Sequence, residues 1–377
     1  YTFLHTLSLH DALPICLENP IWNDYTREEL RKLKVDEPDE ICRKKVLKNW
    51  DAIAKPLDGM GKFETLIAKI GAITGTEEID ITKKAVVIMC ADNGIVEEGV
   101  SQSGQEVTVA VAKAMGKGQS CVGQMAKAVG VDTIPVDIGI NLKETIHGLV
   151  SRKIRCGTRN FSKEPAMLEA EAIQAIATGI DMAFLCKKAG YKILATGELG
   201  IGNTTTSSAV AAALLKCEVP KVTGRGSGLN DIGLARKQKV IEEAVQKYDL
   251  YHSDALTILR TVGGLDIAGL VGLCIGGAMC HLPVVLDGVI SMVAALVAER
   301  MVPGTKAYYI PSHKGKEPAI AMLARELELE PVIDGNMALG EGTGAVMMFA
   351  LLDVALSIYQ GKTTFNDIRI GQYERLS

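Results

Sequence analysis

The stretch GELGIGNTTTSSAVAAALL, residues 197–215, joins three glycines and a carboxylate to an alanine-rich apolar run. Upstream, YKILATG (191–197) has the length and apolar character of a buried strand, and from Ser207 the apolar run reads as a helix. Strand, glycine turn and helix in that order is the repeating unit of a parallel α/β sheet. Glycines in such a turn let backbone N–H groups approach an anion, and a helix N-terminus adds partial positive charge. Thr204, Thr205 and Thr206 can cap the helix or donate to a phosphate. A tight turn whose glycines serve packing alone is equally compatible with the spacing. The order G-x-x-G-x-G is not the dinucleotide fingerprint G-x-G-x-x-G, and no P-loop lysine follows.

The same punctuation recurs along the chain. KAVVIMCADNG (84–94), DTIPVDIGI (132–140), LPVVLDG (282–288) and KAYYIPSHKG (306–315) are short apolar runs, most ending in Gly, Asp or Asn. Helical stretches of ten or more residues separate most of them. This alternation predicts an α/β fold whose sheet is parallel with crossover helices. Open sheets of this kind bind ligands beyond the carboxyl ends of their strands. The residues that end the runs are therefore the place to look: Asp92, Asn93, Gly94, Glu198, Gly200, Gly202, Asn203, Asp287, Gly288, Ser312 and His313. Residues 24–75 read instead as helices, with charged and apolar positions interleaved.

The 377 residues, 47% hydrophobic, are ample for a sizeable core, and the length suggests two domains. Thirty-eight glycines with few aromatics suit an enzyme with many tight strand-to-helix turns. A formal net charge of -4 supplies no basic surplus for a phosphate backbone, which excludes nucleic acid as the expected partner. Nine cysteines occur without paired or CxxC spacing, and Cys90, Cys186, Cys274 and Cys280 sit in apolar runs, which predicts buried free thiols in a reducing cytoplasm; no zinc-ligand spacing occurs. The apolar stretch from Ile267 to Cys280 is shorter than the ~20 residues a bilayer span needs and reads as a buried helix. Residues 1–16 (YTFLHTLSLHDALPIC) lack the basic start of a signal peptide and any continuity with the chain beyond them. They read as a non-native extension, such as translated adaptor sequence, with native structure expected from near Leu17.

Three further glycine clusters carry chemistry-bearing residues. VTGRGSGLNDIGLARKQKV (222–240) holds Gly224, Gly226 and Gly228, with Lys237 downstream as either a phosphate ligand or a solvated helix lysine. NMALGEGTGAVMMFALL (336–352) places Glu341 between two glycines at the start of an apolar helix. That position suits a helix-dipole partner. It equally suits a general base whose pKa is raised by desolvation. CADNGIVEEGVSQSGQEVT (90–108) puts Ser103 and Gln105 in a loop that lines a pocket or is simply solvated. For Asp266 in VGGLDIAGL and for His313, satisfied structural roles are the expectation. Together these features describe an enzyme acting on a phosphorylated small molecule by carboxylate acid–base chemistry. An NAD-dependent oxidoreductase would need G-x-G-x-x-G after the first strand, which ends instead in ADNG. A non-catalytic nucleotide-binding module would need no pair of glycine-flanked glutamates.

The clusters also resemble a known family. KPLDGMGKFETLIAKI (55–70), CADNGIVEEGVSQSGQEVT, GTRNFSKEPAM (157–167), GELGIGNTTTSSA, VTGRGSGL, VGGLDIAGL, LPVVLDG, IPSHKGKEPA and LGEGTGA are similar, in order and over roughly residues 20–360, to the nicotinate-nucleotide-dimethylbenzimidazole phosphoribosyltransferases. The resemblance implies transfer of ribose 5-phosphate from nicotinate mononucleotide to 5,6-dimethylbenzimidazole, with inversion at the anomeric carbon. The products would be α-ribazole 5′-phosphate and nicotinate, in the assembly of the cobalamin nucleotide loop. It implies no metal and no cofactor.

The resemblance also implies site roles. Glu341 is the base, and Glu198 is a second acid near the reacting ribose. Gly200, Gly202, Asn203, Gly224, Gly226, Lys237 and the backbone at Gly315 hold the ribose phosphate. Gly315 stands where a relative carries serine, so only its backbone carries over. Ser103, Leu199, Met337 and Leu339 line the base pocket, and Gly104 replaces a proline common there. The implied fold is an open, mainly parallel, Rossmann-like sheet with flanking helices (81–345) and a smaller helical domain formed by the N-terminal (17–80) and C-terminal (346–377) segments. A cytoplasmic homodimer with sites near the subunit interface is expected, acting on small molecules and without a membrane span.

Overall fold

Strands β1 (Lys84–Ala91), β2 (Asp132–Gly139), β3 (Val150–Ser151), β4 (Ile193–Leu199), β5 (Val284–Leu286) and β6 (Tyr309–Pro311) form one parallel sheet in the computed structural model, which describes residues 25–375. Five of the six coincide with the apolar runs of the sequence. The edge strand β3 was not expected, because two residues are too few to show a period. The strand order is β3-β2-β1-β4-β5-β6. The chain therefore winds one way from β1 and the other way from β4, and these two neighbours part at a topological switch point. Glu198 lies opposite Met89 in the register of that central pair.

Helices cover both faces. In chain order they are α1 (Arg27–Lys32), α2 (Glu40–Ala52), α3 (Lys62–Thr74), α4 (Glu106–Gly116), α5 (Cys121–Ala128), α6 (Glu169–Lys188) and α7 (Asn203–Leu215). Then follow α8 (Asp231–Lys247), α9 (Ala255–Val262), α10 (Leu265–Met279), α11 (Val289–Met301), α12 (Ala319–Glu326) and α13 (Thr343–Gly361). Every residue of β1 is buried, and its side chains alternate between two cores. Ala85, Val87 and Met89 join the cluster that helices α6 to α12 complete. Val86, Ile88 and Cys90 join the cluster of α2 to α5 and α13.

Helix α10 is the expected buried apolar helix, with residues 265–278 buried, and it runs straight on toward β5. It lies against α6 closely enough that a Cβ on Gly272 would fall 1.9 Å from the carbonyl oxygen of Ile176. Among the described residues α13 alone has the length and apolarity of a membrane span. Its inner face, including Met348, Phe349, Leu352 and Leu356, packs in the second core instead.

The N- and C-terminal segments touch in the structure. The Trp50 and Tyr359 rings lie 5.2 Å apart, and Arg375 bridges Asp51 and Asp58. These helices share their core with the sheet, and the boundary expected at 345/346 falls inside α13. The extension expected over residues 1–16 and the start near Leu17 lie outside the described residues.

Gly272→Ala forces α6 and α10 apart. A loss of roughly 1–3 kcal/mol is expected, read as a lower urea midpoint at unchanged slope. An unchanged midpoint would show that the two helices separate freely.

Candidate active site

Beyond the carboxyl ends of β4, β5 and β6 lies a cavity of about 300 Å³. Its floor is acidic. Glu198, the penultimate residue of β4, is buried and accepts hydrogen bonds from the Asn203 side-chain amide and the Glu341 backbone N–H. The same Asn203 amide donates to Asp266 at 3.2 Å, at the start of α10. Burial, reinforced by the negative charges of Asp266 and Asp287, pushes the Glu198 carboxyl up to about 8. Burial alone pushes Asp266 up to about 7, against the hydrogen bonds it accepts. Asp266 thus has a satisfied structural role beneath the floor.

Glu341 stands in the cavity wall between Gly340 and Gly342, and φ is positive at all three (83°, 62° and 92°). Its Oε2 accepts from the Val122 backbone N–H at 3.1 Å, in the first turn of α5. Burial raises its pKa, the Val122 N–H lowers it, and Asp287 raises it further. Asp287, just past β5, accepts from the backbone N–H groups of Gly342, Gly344 and Ala345. The Nδ1 of His313 is 3.8 Å from Asp287 and 3.0 Å from the Ser312 hydroxyl. His313 lines the cavity, where only a structural role was expected.

The glycine-rich side of the cavity holds Gly200, Gly202, Asn203, Gly226 and Gly315. Helix α7 begins at Asn203 with Gly202 as its N-cap (φ 96°), so Thr204, Thr205 and Thr206 lie in the first turn and do not cap it. Lys237 and Gly224 do not reach the cavity wall. Lys237 is fully buried beneath it, donating to the Thr204 hydroxyl (2.9 Å) and the Gly224 carbonyl (3.1 Å). Burial lowers its pKa to about 8. Glu317, which the sequence did not single out, accepts from the Gly226 N–H at 3.0 Å and so holds that turn. No local signal marks it, since the contact spans the fold.

The cavity is also lined by apolar side chains, Leu199, Met337 and Leu339 with Val100, Val107 and Val111. Ser103 does not line it. Its backbone N–H folds back on the Ser101 hydroxyl at 3.2 Å, and Ser101 faces the cavity in its place. Asp92 and Asn93 are buried and do not line the cavity: Asn93 packs behind the turn at Gly200 and Gly202, and Asp92 accepts from the Asn141 backbone N–H at 2.8 Å.

A sequence profile described as phosphoribosyltransferase matches residues 35–370. The chain is 42% identical over 317 residues to the nicotinate-nucleotide-dimethylbenzimidazole phosphoribosyltransferase of Clostridium perfringens, covering 84% of this chain and 88% of that one. It is 43% identical over 329 residues to that of Acetivibrio thermocellus, covering 87% and 94%. The chain belongs to the nicotinate-nucleotide-dimethylbenzimidazole phosphoribosyltransferase family. A crystal structure of the family enzyme from Thermus thermophilus superposes with a TM-score of 0.83 at 32% identity, covering 89% of this chain and all of that one. The glycine turns and the acidic residues of this chain thus sit together beyond the carboxyl ends of β4, β5 and β6.

The raised carboxyls make stability pH-dependent. The folded protein keeps protons on Glu198 and Asp266 up to about 8 and 7, whereas an unfolded chain releases them near ~4. Stability therefore falls as pH rises through that window. Glu198→Gln is expected to flatten the fall by at least ~1 kcal/mol and to raise the melting temperature more at pH 8 than at pH 5. Equal shifts at both pH values would contradict the raised Glu198 carboxyl.

Proposed function

We propose that this enzyme transfers ribose 5-phosphate from nicotinate mononucleotide to 5,6-dimethylbenzimidazole or a related azole, releasing nicotinate and α-ribazole 5′-phosphate. The observation that carries the reading is that two carboxylates, Glu198 and Glu341, line one cavity together with glycine-rich turns and apolar side chains. The azole lies on Leu199, Met337 and Leu339, with Ser101 at its edge. The phosphate meets the turn that leads into α7, at Gly200, Gly202 and Asn203, and the backbone at Gly315, while the Gly226 N–H is taken by Glu317. Lys237 supports that region electrostatically from below through Thr204 and the Gly224 carbonyl.

The nucleotide is a pyridinium, so its nicotinate leaves as a neutral ring nitrogen base without needing protonation. One azole nitrogen donates its lone pair to the anomeric carbon on the opposite face, and the carbon–pyridinium bond electrons go to the departing ring nitrogen. The other azole nitrogen loses its proton to Glu341. A cation in the cavity favours the ionised form of Glu198, whose negative charge then stabilises the positive ribose in the transition state. Glu341, half-buried and raised by burial, matches the requirement for a base.

Glu341→Gln keeps the size of the side chain and removes its ability to accept the proton. The kcat is expected to fall ~10²–10⁴-fold with the KM for nicotinate mononucleotide nearly unchanged. Near-normal turnover would sink the assignment.

For assembly, a homodimer in a reducing cytoplasm is the reading. Met347, Leu351, Val354 and Ile358 are exposed along one side of α13, and this stripe supports self-association. Sedimentation velocity is expected to give a dimer mass that Val354→Asp shifts toward the monomer. A monomer mass for the unsubstituted protein would contradict it.

A further inference from the structure

The glutamate read as the base stands in an improbable backbone. Residues 340–342 all have positive φ, a region that glutamate disfavours. Something outside the turn must hold it there. Gly342 is the N-cap of α13, and no side-chain hydrogen bond from the cap residue closes the helix.

The amides of this helix start are nevertheless all accounted for. The N–H of Thr343 reaches the Gly340 carbonyl at 3.1 Å, and that of Val346 reaches the Gly342 carbonyl at 3.0 Å. The other three go to a single carboxylate. Asp287 accepts from Gly342 at 3.2 Å on Oδ2, and from Gly344 at 2.8 Å and Ala345 at 3.2 Å on Oδ1. The side chain is buried and lies just past the end of β5, a strand paired on both sides by β4 and β6.

We propose that Asp287 is a positioning residue for Glu341: it caps α13 from the end of β5 and so holds the 340–342 turn that aims the base. This rests on the reading of Glu341 as the base. Both Asp287 oxygens are committed to backbone amides, which suits holding rather than proton transfer. Burial raises the Asp287 carboxyl, and His313 and the three N–H groups pull it back toward the ionised form, which opposes the ionisation of Glu341. The other groups near Glu341 are Glu198 of β4, which accepts from its backbone N–H and has Asp266 of α10 behind it, and the Val122 N–H of α5, while His313 beyond β6 lies 3.8 Å from Asp287. All are retained when Asp287 alone is changed.

Asp287→Asn keeps the size, but an amide NH₂ must face at least one of the three N–H groups. The test measures kcat and KM against pH for the wild type, D287N, E341Q and the double variant, with nicotinate mononucleotide and dimethylbenzimidazole. In D287N, kcat is expected to fall ~10–100-fold, with KM within about twofold. The acid limb of kcat should move to lower pH, because Glu341 ionises more readily once Asp287 carries no charge. The double variant should be no slower than E341Q. An unchanged kcat, an unmoved acid limb, or the same loss from D287N in the E341Q background would each overturn the proposal.

Amide hydrogen exchange of the ligand-free protein tests the clamp without turnover. The amides of Gly342, Gly344 and Ala345 should exchange about tenfold more slowly in the wild type than in D287N. Equal rates overturn the clamp. Should D287N not fold, the Gly344 and Ala345 amides of the wild type must still exchange as slowly as those of the buried side of α13, and exchange at loop rates overturns it. A wild type that makes no α-ribazole 5′-phosphate would instead overturn the functional reading, and the exchange rates would still judge the clamp.

Discussion

Glu198, Asp266 and Asp287 are buried close together, and among the described residues no lysine or arginine is bonded to any of them. Removing carboxylates from water is costly unless donors replace the water. Here the donors are peptide and amide N–H groups. Asn203 serves two carboxylates with one amide, the Ile267 N–H serves Asp266, and the start of α13 serves Asp287. Helices α7, α10 and α13 therefore all point their positive ends at the same place. The convergence that builds the site is the same one that makes its acids tolerable.

That arrangement gives the cavity two poles. The acids gather at the floor, while Gly200, Gly202, Gly226 and Gly315 present backbone on another side, with Lys237 buried beneath. Glu317 already occupies the Gly226 N–H, so the turn is held in shape by an internal carboxylate.

Helix α13 ties this site to the rest of the molecule. The turn just before it carries Glu341, its inner face fills the second core, and its far end packs Tyr359 on Trp50 of α2. The helical layer from the two chain ends is thus a support for the turn that presents Glu341, as well as a cover for the sheet.

The sequence by itself determined the elements. Short apolar runs ending in glycine or an acid, separated by helices, specify a parallel α/β sheet, because burial on both faces demands continuous apolar strands. The turns at 197–203, 224–228 and 340–342 were legible for the same local reason: glycine punctuation marks where the backbone turns sharply. What sequence could not supply was decided by contacts between residues far apart in the chain. The pairing of β1 with β4 sets the switch point, and hence which strand ends share a cavity. Packing turned Ser101 rather than Ser103 toward that cavity and buried Lys237 beneath it. It also brought Glu317 to Gly226, and Asp287 to the start of α13. Periodicity and turn chemistry act over a few residues, whereas these hydrogen bonds close only after the sheet has assembled and its helices have docked.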